Sequence, residues 1–182
     1  MWISHQTDLT DFECDELYWF ILCRKGYENG INRYIMTIIT ANPRQILAFD
    51  VDKSVNKETL QRMADGAPWA ENYYTDGCPV YCDVIFPGKH RRNVNDKSDT
   101  YNVESINSDL RHYLAGLARR SRTFYRSDET LLAVISVFVN AYNKYGEYKA
   151  NNRIPVKHKS PLPSKHLHKY KELPLHIIDF VV

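Results

Sequence analysis

No stretch of this sequence is long and apolar enough to cross a bilayer. The longest apolar run, around residues 131 to 139, falls far short of the about 20 residues that a spanning helix needs. A basic and then apolar secretion signal is also missing from the N-terminus. Cysteine is scarce, with four residues at positions 14, 23, 78 and 82, and these form neither CxxC pairs nor the Cys and His spacing of a zinc site. Reduced, mostly buried thiols are therefore expected rather than a disulfide framework. Excess charge of one sign is lacking as well: 24 Lys and Arg against 22 Asp and Glu leave a net charge of +2, so the global balance does not point to nucleic acid. With 43% hydrophobic and 25% charged residues in a chain of 182, the disordered and membrane classes are excluded. What these absences leave is one principal domain with a modest extension, cytoplasmic and without a membrane partner.

What is present is aromatic and β-branched residues in strand-length runs. Residues 15 to 24, 33 to 40 and 44 to 52 read as three strands, separated by a loop holding Asn29-Gly30 and by the turn Ala41-Asn42-Pro43, which makes an antiparallel meander. Asn56 can cap a helix from about Lys57 to Asp65 that stops at Gly66. A fourth strand over 71 to 76 ends at Gly77, Pro79 opens a short helix to about Phe86, and a fifth strand is weakly signalled near His90 to Val94. Ile106, Leu110, Tyr113, Leu114 and Leu117 fall at helical spacings, predicting a helix from Val103 to near Arg120, and Ser127 starts another whose apolar residues cover most of its circumference. Beyond Tyr148 come four prolines, and between Lys144 and Lys171 eight Lys or Arg stand against Glu147 alone. The division expected is a domain over 1–148 and a basic tail over 149–182. The element order is that of an α/β, RNase H-like fold: a mixed five-stranded sheet, the meander plus two further strands, flanked by helices.

With 22 acids, some triad of any desired spacing exists by chance, so the setting of each acid must select it. Asp15 opens the first strand directly before Leu17-Tyr18-Trp19-Phe20-Ile21, a charge beside a buried central strand. Asp76 closes the fourth strand before Gly77, at a carboxyl end where open sheets present ligand-binding groups. If strands one and four are neighbours, these two carboxylates approach each other and call for a cation. Glu104 starts the long helix, with Asn107, Arg111 and Ala115 on nearly the same angular line. Three converging carboxylates suit a pair of hard divalent ions for phosphodiester chemistry, while Asn107 and Arg111, with Arg119 and Arg120 further along, suit DNA phosphates. Each acid alone also has an ordinary local role, at a strand edge, in a turn or in a helix's first turn. Asp50 and Asp52 are rivals that read better as exposed strand ends.

Asp15-Glu16 before an apolar strand, Thr75-Asp76-Gly77 with Pro79 and Tyr81, and Glu104, Asn107, Leu110-Arg111, Leu114, Leu117, Arg120-Ser121, Phe124 and Ser127 resemble the catalytic half of bacterial insertion-sequence transposases of the IS-one type, the InsB-like group of the DDE superfamily. The resemblance spans about residues 14 to 145, and the separations of 61 and 28 positions between the acids are also similar. It implies metal-dependent DNA cleavage and strand transfer at terminal inverted repeats, without a covalent enzyme intermediate. It further implies catalysis and binding of two Mg²⁺ or Mn²⁺ ions by Asp15, Asp76 and Glu104. Its implied partners are double-stranded DNA, as inverted repeats and target, and further copies of the chain when DNA is bound, near a bacterial nucleoid. His90 stands at a plausible family position but reads equally as a surface histidine. Only fourteen residues precede Asp15, so the zinc-binding and helix-turn-helix region usual in the family is expected to be encoded elsewhere or lost. A relative that only hydrolyses DNA, and an inactive DNA-binding remnant that inhibits transposition, are the alternatives.

Overall fold

The structure, a computed structural model, describes residues 10–22, 31–42, 44–93, 100–118 and 123–152. The three β-rich runs form β1 (Asp11–Ile21), β2 (Ile31–Thr40) and β3 (Gln45–Asp52), paired antiparallel in sequence order. The chain then makes α1 (Lys57–Gly66), β4 (Asn72–Thr75), a 3-10 turn (Pro79–Asp83), β5 (Lys89–Arg92), α2 (Tyr101–Tyr113), a second 3-10 turn (Ala115–Leu117) and α3 (Asp128–Asn152). β4 pairs parallel with the other flank of β1, and β5 parallel with β4, giving the order β3-β2-β1-β4-β5. This is the RNase H-like mixed sheet expected from the element order. No helix among the described residues is long and apolar enough to cross a membrane.

Side-chain alternation along β1 divides the core between the two faces of the sheet. Leu17, Trp19 and Ile21 pack with Val103, Ile106 and Leu110 of α2 and Leu131 and Ile135 of α3. Phe12 and Cys14 join Met36 and Ile38 of β2 and Leu60 and Met63 of α1 on the opposite face. α1 starts as expected: Asn56 Oδ1 accepts from the Thr59 N–H at 2.9 Å. Asp52 braces that cap by accepting from Asn56 Nδ2 at 2.8 Å and Thr59 Oγ1 at 2.9 Å, and Asp50 pairs with Arg62, so the two rival acids have structural work. At the free flank of β3, the Asn143 amide of α3 accepts from Ile46 N at 2.9 Å and donates to Ile46 O at 2.8 Å. It thereby occupies edge groups that another strand could otherwise recruit.

Several boundaries differ from the sequence reading by a few residues, with α3 running to Asn152 past the expected domain end at 148, and three of the differences bear on the site. β1 begins at Asp11, so Asp15 lies inside the strand opposite Thr37 rather than at its start. The segment after Pro79 is a 3-10 turn ending at Asp83, short of Phe86. α2 ends at Tyr113, not near Arg120, and Leu117 reaches the core through the second 3-10 turn. The cause is tertiary: Trp19 Nε1 donates to Gly116 O at 2.7 Å, and the Tyr125 ring occupies the space beside Gly116, 2.4 Å from where a Cβ would sit. An apolar period alone cannot distinguish a continued helix from a tight turn that buries the same leucine. Cys14 is buried, Cys78 half-buried and Cys82 exposed, all as free thiols. Cys23, Asn29, Gly30, Pro43, Arg119, Arg120 and the tail from 153 onward lie outside the described residues.

Candidate active site

The parallel pairing of β1 with β4 runs from Asp11 opposite Asn72 to Cys14 opposite Thr75 and stops there. Asp15 is the first β1 residue past that pairing, and Asp76 is the first residue past β4. Two carboxyl groups therefore emerge at the carboxyl end of β4, on the step where β1 continues without a β4 neighbour. α2 lies across this step on the Asp15 face. Glu104, Asn107, Ser108 and Arg111 follow the i, i+3, i+4, i+7 pattern and share one side of the helix, flanking its buried Val103, Ile106 and Leu110, with Asn107 itself buried. These side chains, with Asp15, Glu16, Leu17, Asp76 and His112, line one open, polar pocket of about 770 Å³. The three acids singled out in the sequence thus meet in one place, together with Asn107 and Arg111. Ala115 leaves the line because the helix has ended.

The pocket concentrates negative charge, and two of its acids, Asp15 and Glu16, are largely withdrawn from water. Burial pushes the Asp15 carboxyl up to about 6, and the nearby Asp76 and Glu104 charges push the same way, against a hydrogen bond from Asn107 Nδ2 to Asp15 Oδ2 at 2.9 Å. Burial likewise lifts Glu16 to about 7, reinforced by Asp76 and Asp15 and opposed by the Tyr81 hydroxyl, which donates to Glu16 Oε2 at 2.9 Å. The Asp76 side chain is oriented by the Cys78 N–H, which donates to its Oδ1 at 2.8 Å. Among the described residues, one group has ligand atoms all within 4.8 Å of one another: Glu16, Asp76 and Cys78. Asp15 and Glu104 border the same pocket but stand outside that tighter group. Burial raises the Cys78 thiol above its ordinary value, which keeps the sulfur protonated and leaves the two carboxylates as the stronger donors.

No protein-family model and no curated protein matches this chain. Twenty-three chains of solved structures do. One of them belongs to the Mos1 strand transfer complex: it is 11% identical with a TM-score of 0.46, and the alignment covers 80% of this chain and 53% of that one. The present chain thus spans about half the length of its structural neighbour.

Glu16, Tyr81 and Glu13 carry parts of the site that the sequence reading left without a role. Strand alternation sends Glu16 to the face opposite Asp15. The turn after Asp76 nevertheless curls under β1 and brings Cys78 and Tyr81 to it. Glu13 is buried, and its carboxylate accepts from Asn102 Nδ2 at 2.6 Å and from the Val103 N–H at 2.8 Å. It caps the first turn of α2 from a neighbouring strand and so sets where Glu104 and Asn107 stand on the sheet. A strand acid capping a helix some ninety residues later leaves no local signature. Glu13→Gln presents an N–H where α2 offers only donors, so we expect unfolding free energy to fall by about 1–2 kcal/mol in urea denaturation. An unchanged midpoint would show that the cap contributes nothing. His90, on the other face, contacts Thr75 Oγ1 through Nε2 at 2.9 Å and packs on Phe86; burial lowers its pKa, and it supports β4 from outside the pocket.

Proposed function

We propose that this chain is the catalytic domain of a DNA transposase of the insertion-sequence type, cleaving DNA strands at inverted-repeat ends and joining them to target DNA. The observation that carries this reading is the convergence of Asp15, Asp76 and Glu104, from β1, the end of β4 and α2, on one open polar pocket. Residues 1–148 would form the catalytic unit and 149–182 a basic tail.

The donor set fits divalent metal. Carboxylate oxygens are the ligands that Mg²⁺ and Mn²⁺ prefer, and the raised Asp15 carboxyl marks a place where negative charge lacks compensation. Asp15, Asp76 and Glu104 would hold two such ions, with Glu16 close enough to Asp76 to share one. Bound metal supplies activation of the attacking oxygen and stabilisation of the leaving oxygen in phosphodiester chemistry. The protein's own residues do the rest. Asn107 holds Asp15 in one orientation through its amide, and Glu13 anchors the helix that carries Glu104. Arg111 lines the pocket where a charge-assisted hydrogen bond to a DNA phosphate would orient the scissile strand. Arg119 and Arg120, a little further along the chain, would add phosphate contacts. Two DNA ends must come together, so the working form would be an assembly of two or more copies.

Incubating the full chain with a labelled inverted-repeat duplex and target DNA in Mn²⁺ tests this reading by its products. Strand cleavage followed by covalent joining of the ends is expected. Hydrolysis without joining would make the protein a nuclease, and DNA bound but left intact would make it a non-catalytic, inhibitory binder.

A further inference from the structure

β5 ends the sheet and consists of Lys89, His90, Arg91 and Arg92, of which the three cations are exposed. Along the sequence this strand is only weakly signalled, and its cations stand apart from those of α2 and the segments beyond it. Its position gives it meaning. Glu13, Tyr74 and Arg91 form one cross-strand row, and Asp11, Asn72 and Lys89 another, so Lys89 and Arg91 project from the same sheet face as Asp15 and α2. The two residues are about 6.6 Å apart along the strand. The Arg91 guanidinium lies 5.9 Å from the Tyr74 ring centroid, a contact that restrains the side chain without consuming its hydrogen-bond donors on a carboxylate. Lys89 Nζ makes an exposed ion pair with Glu71 at 3.3 Å, the kind of contact that is worth little and yields to a stronger anion. Arg92 points to the opposite face, donating to Gly77 O at 2.5 Å and Cys82 Sγ at 3.0 Å, and so ties β5 to the loop directly after Asp76.

We infer that β5 is a phosphate-binding ridge, with Lys89 and Arg91 carrying the backbone of duplex DNA along the open edge of the sheet toward the Asp15 pocket. This rests on the transposase reading and deepens it by naming the surface that DNA crosses. An exposed edge strand can also be charged merely to block edge-to-edge pairing, a task for which one lysine such as Lys89 suffices. Here every charge on the strand is positive, and two of the three share the face of the pocket. A ridge of this kind binds without reading bases, because contacts to phosphate position a protein and carry no sequence information.

Fluorescence anisotropy with a duplex of arbitrary sequence, titrated with the full chain between 50 and 200 mM salt, separates the outcomes. Losing two phosphate contacts shallows the slope of log affinity against log salt by about 1.8. The unaltered protein should therefore lose about 12-fold more affinity across that range than Lys89→Gln/Arg91→Gln. The charge-preserving pair Lys89→Arg/Arg91→Lys should keep the original slope. An unchanged slope in the Gln variant overturns the ridge while leaving the transposase reading intact. So does an equal loss in the charge-preserving pair, which would trace the effect to packing on Tyr74. If the unaltered chain binds no DNA at any salt concentration, both inferences fail.

Discussion

Replacing Asp76 by Asn is expected to lower Mn²⁺-dependent DNA nicking by about three orders of magnitude, while DNA affinity stays within a few-fold of the unaltered protein. Metal ions contribute several kcal/mol of charge stabilisation to phosphoryl chemistry, and about 4 kcal/mol corresponds to a thousandfold in rate. Asn retains an oxygen to accept the Cys78 N–H, so the turn after β4 keeps its geometry and only the anionic charge is lost. Glu104→Gln offers a second view, because Glu104 is exposed on α2 and its removal leaves no buried cavity. Asp15→Asn would be less clean, since Asp15 also accepts from Asn107. Single-turnover nicking of an inverted-repeat duplex, with anisotropy on the same DNA, reads both quantities. Should Asp76→Asn retain nicking within tenfold, or should nicking proceed equally in a chelator, the carboxylates are not the catalytic centre.

Divalent metal is expected to stabilise the fold, and more strongly as pH rises. Asp15 and Glu16 ionise near 3.8 and 4.5 in an unfolded chain but near 6 and 7 in the folded one. Between about pH 4 and pH 7 the folded state therefore holds protons that the unfolded chain has released. The metal-free protein is at its most favourable, as far as these groups are concerned, below their unfolded values. It loses that contribution as pH climbs through the folded ones, by about 3 kcal/mol for either group alone. Both carboxylates are then charged and uncompensated, which is the state that a cation binds. At a metal concentration of about 100 times Kd, binding adds about 2.7 kcal/mol, equivalent to roughly 5–10 °C in Tm for a chain of this size. Thermal melts at pH 5.5 and pH 8 with and without Mn²⁺ measure the difference. A small shift at the lower pH, a large one at the higher pH, and none in an Asp15→Asn/Asp76→Asn variant is the expected pattern. A melting temperature indifferent to Mn²⁺ at pH 8 would remove the paired-ion site.

Much of this was legible along the chain because the relevant signals are local. β-branched runs with turn chemistry between them set the meander, Asn56 and Gly66 bounded α1, and an acid at the start of one strand-forming run and another at the end of a second marked Asp15 and Asp76. Helical spacing placed Glu104, Asn107 and Arg111 on one line without any coordinates. Those features depend only on backbone propensity and on the period of side chains within a single element.

Contacts between elements were not legible, since they join residues whose separation carries no period. Glu13 capping α2, Tyr81 reaching Glu16 and Trp19 holding Gly116 are each a bond across 65 to 97 positions, made only once the sheet has brought its neighbours together. The end of α2 at Tyr113 belongs to the same class: local preference allowed the helix to continue, and packing against Trp19 and Tyr125 stopped it. The sequence by itself determined which side chains could do chemistry and on which face of its own element each would lie. Only the tertiary structure decided that those faces meet, because their meeting depends on the parallel pairing of β1 with β4 breaking off at Cys14 and leaving Asp15 at an open step.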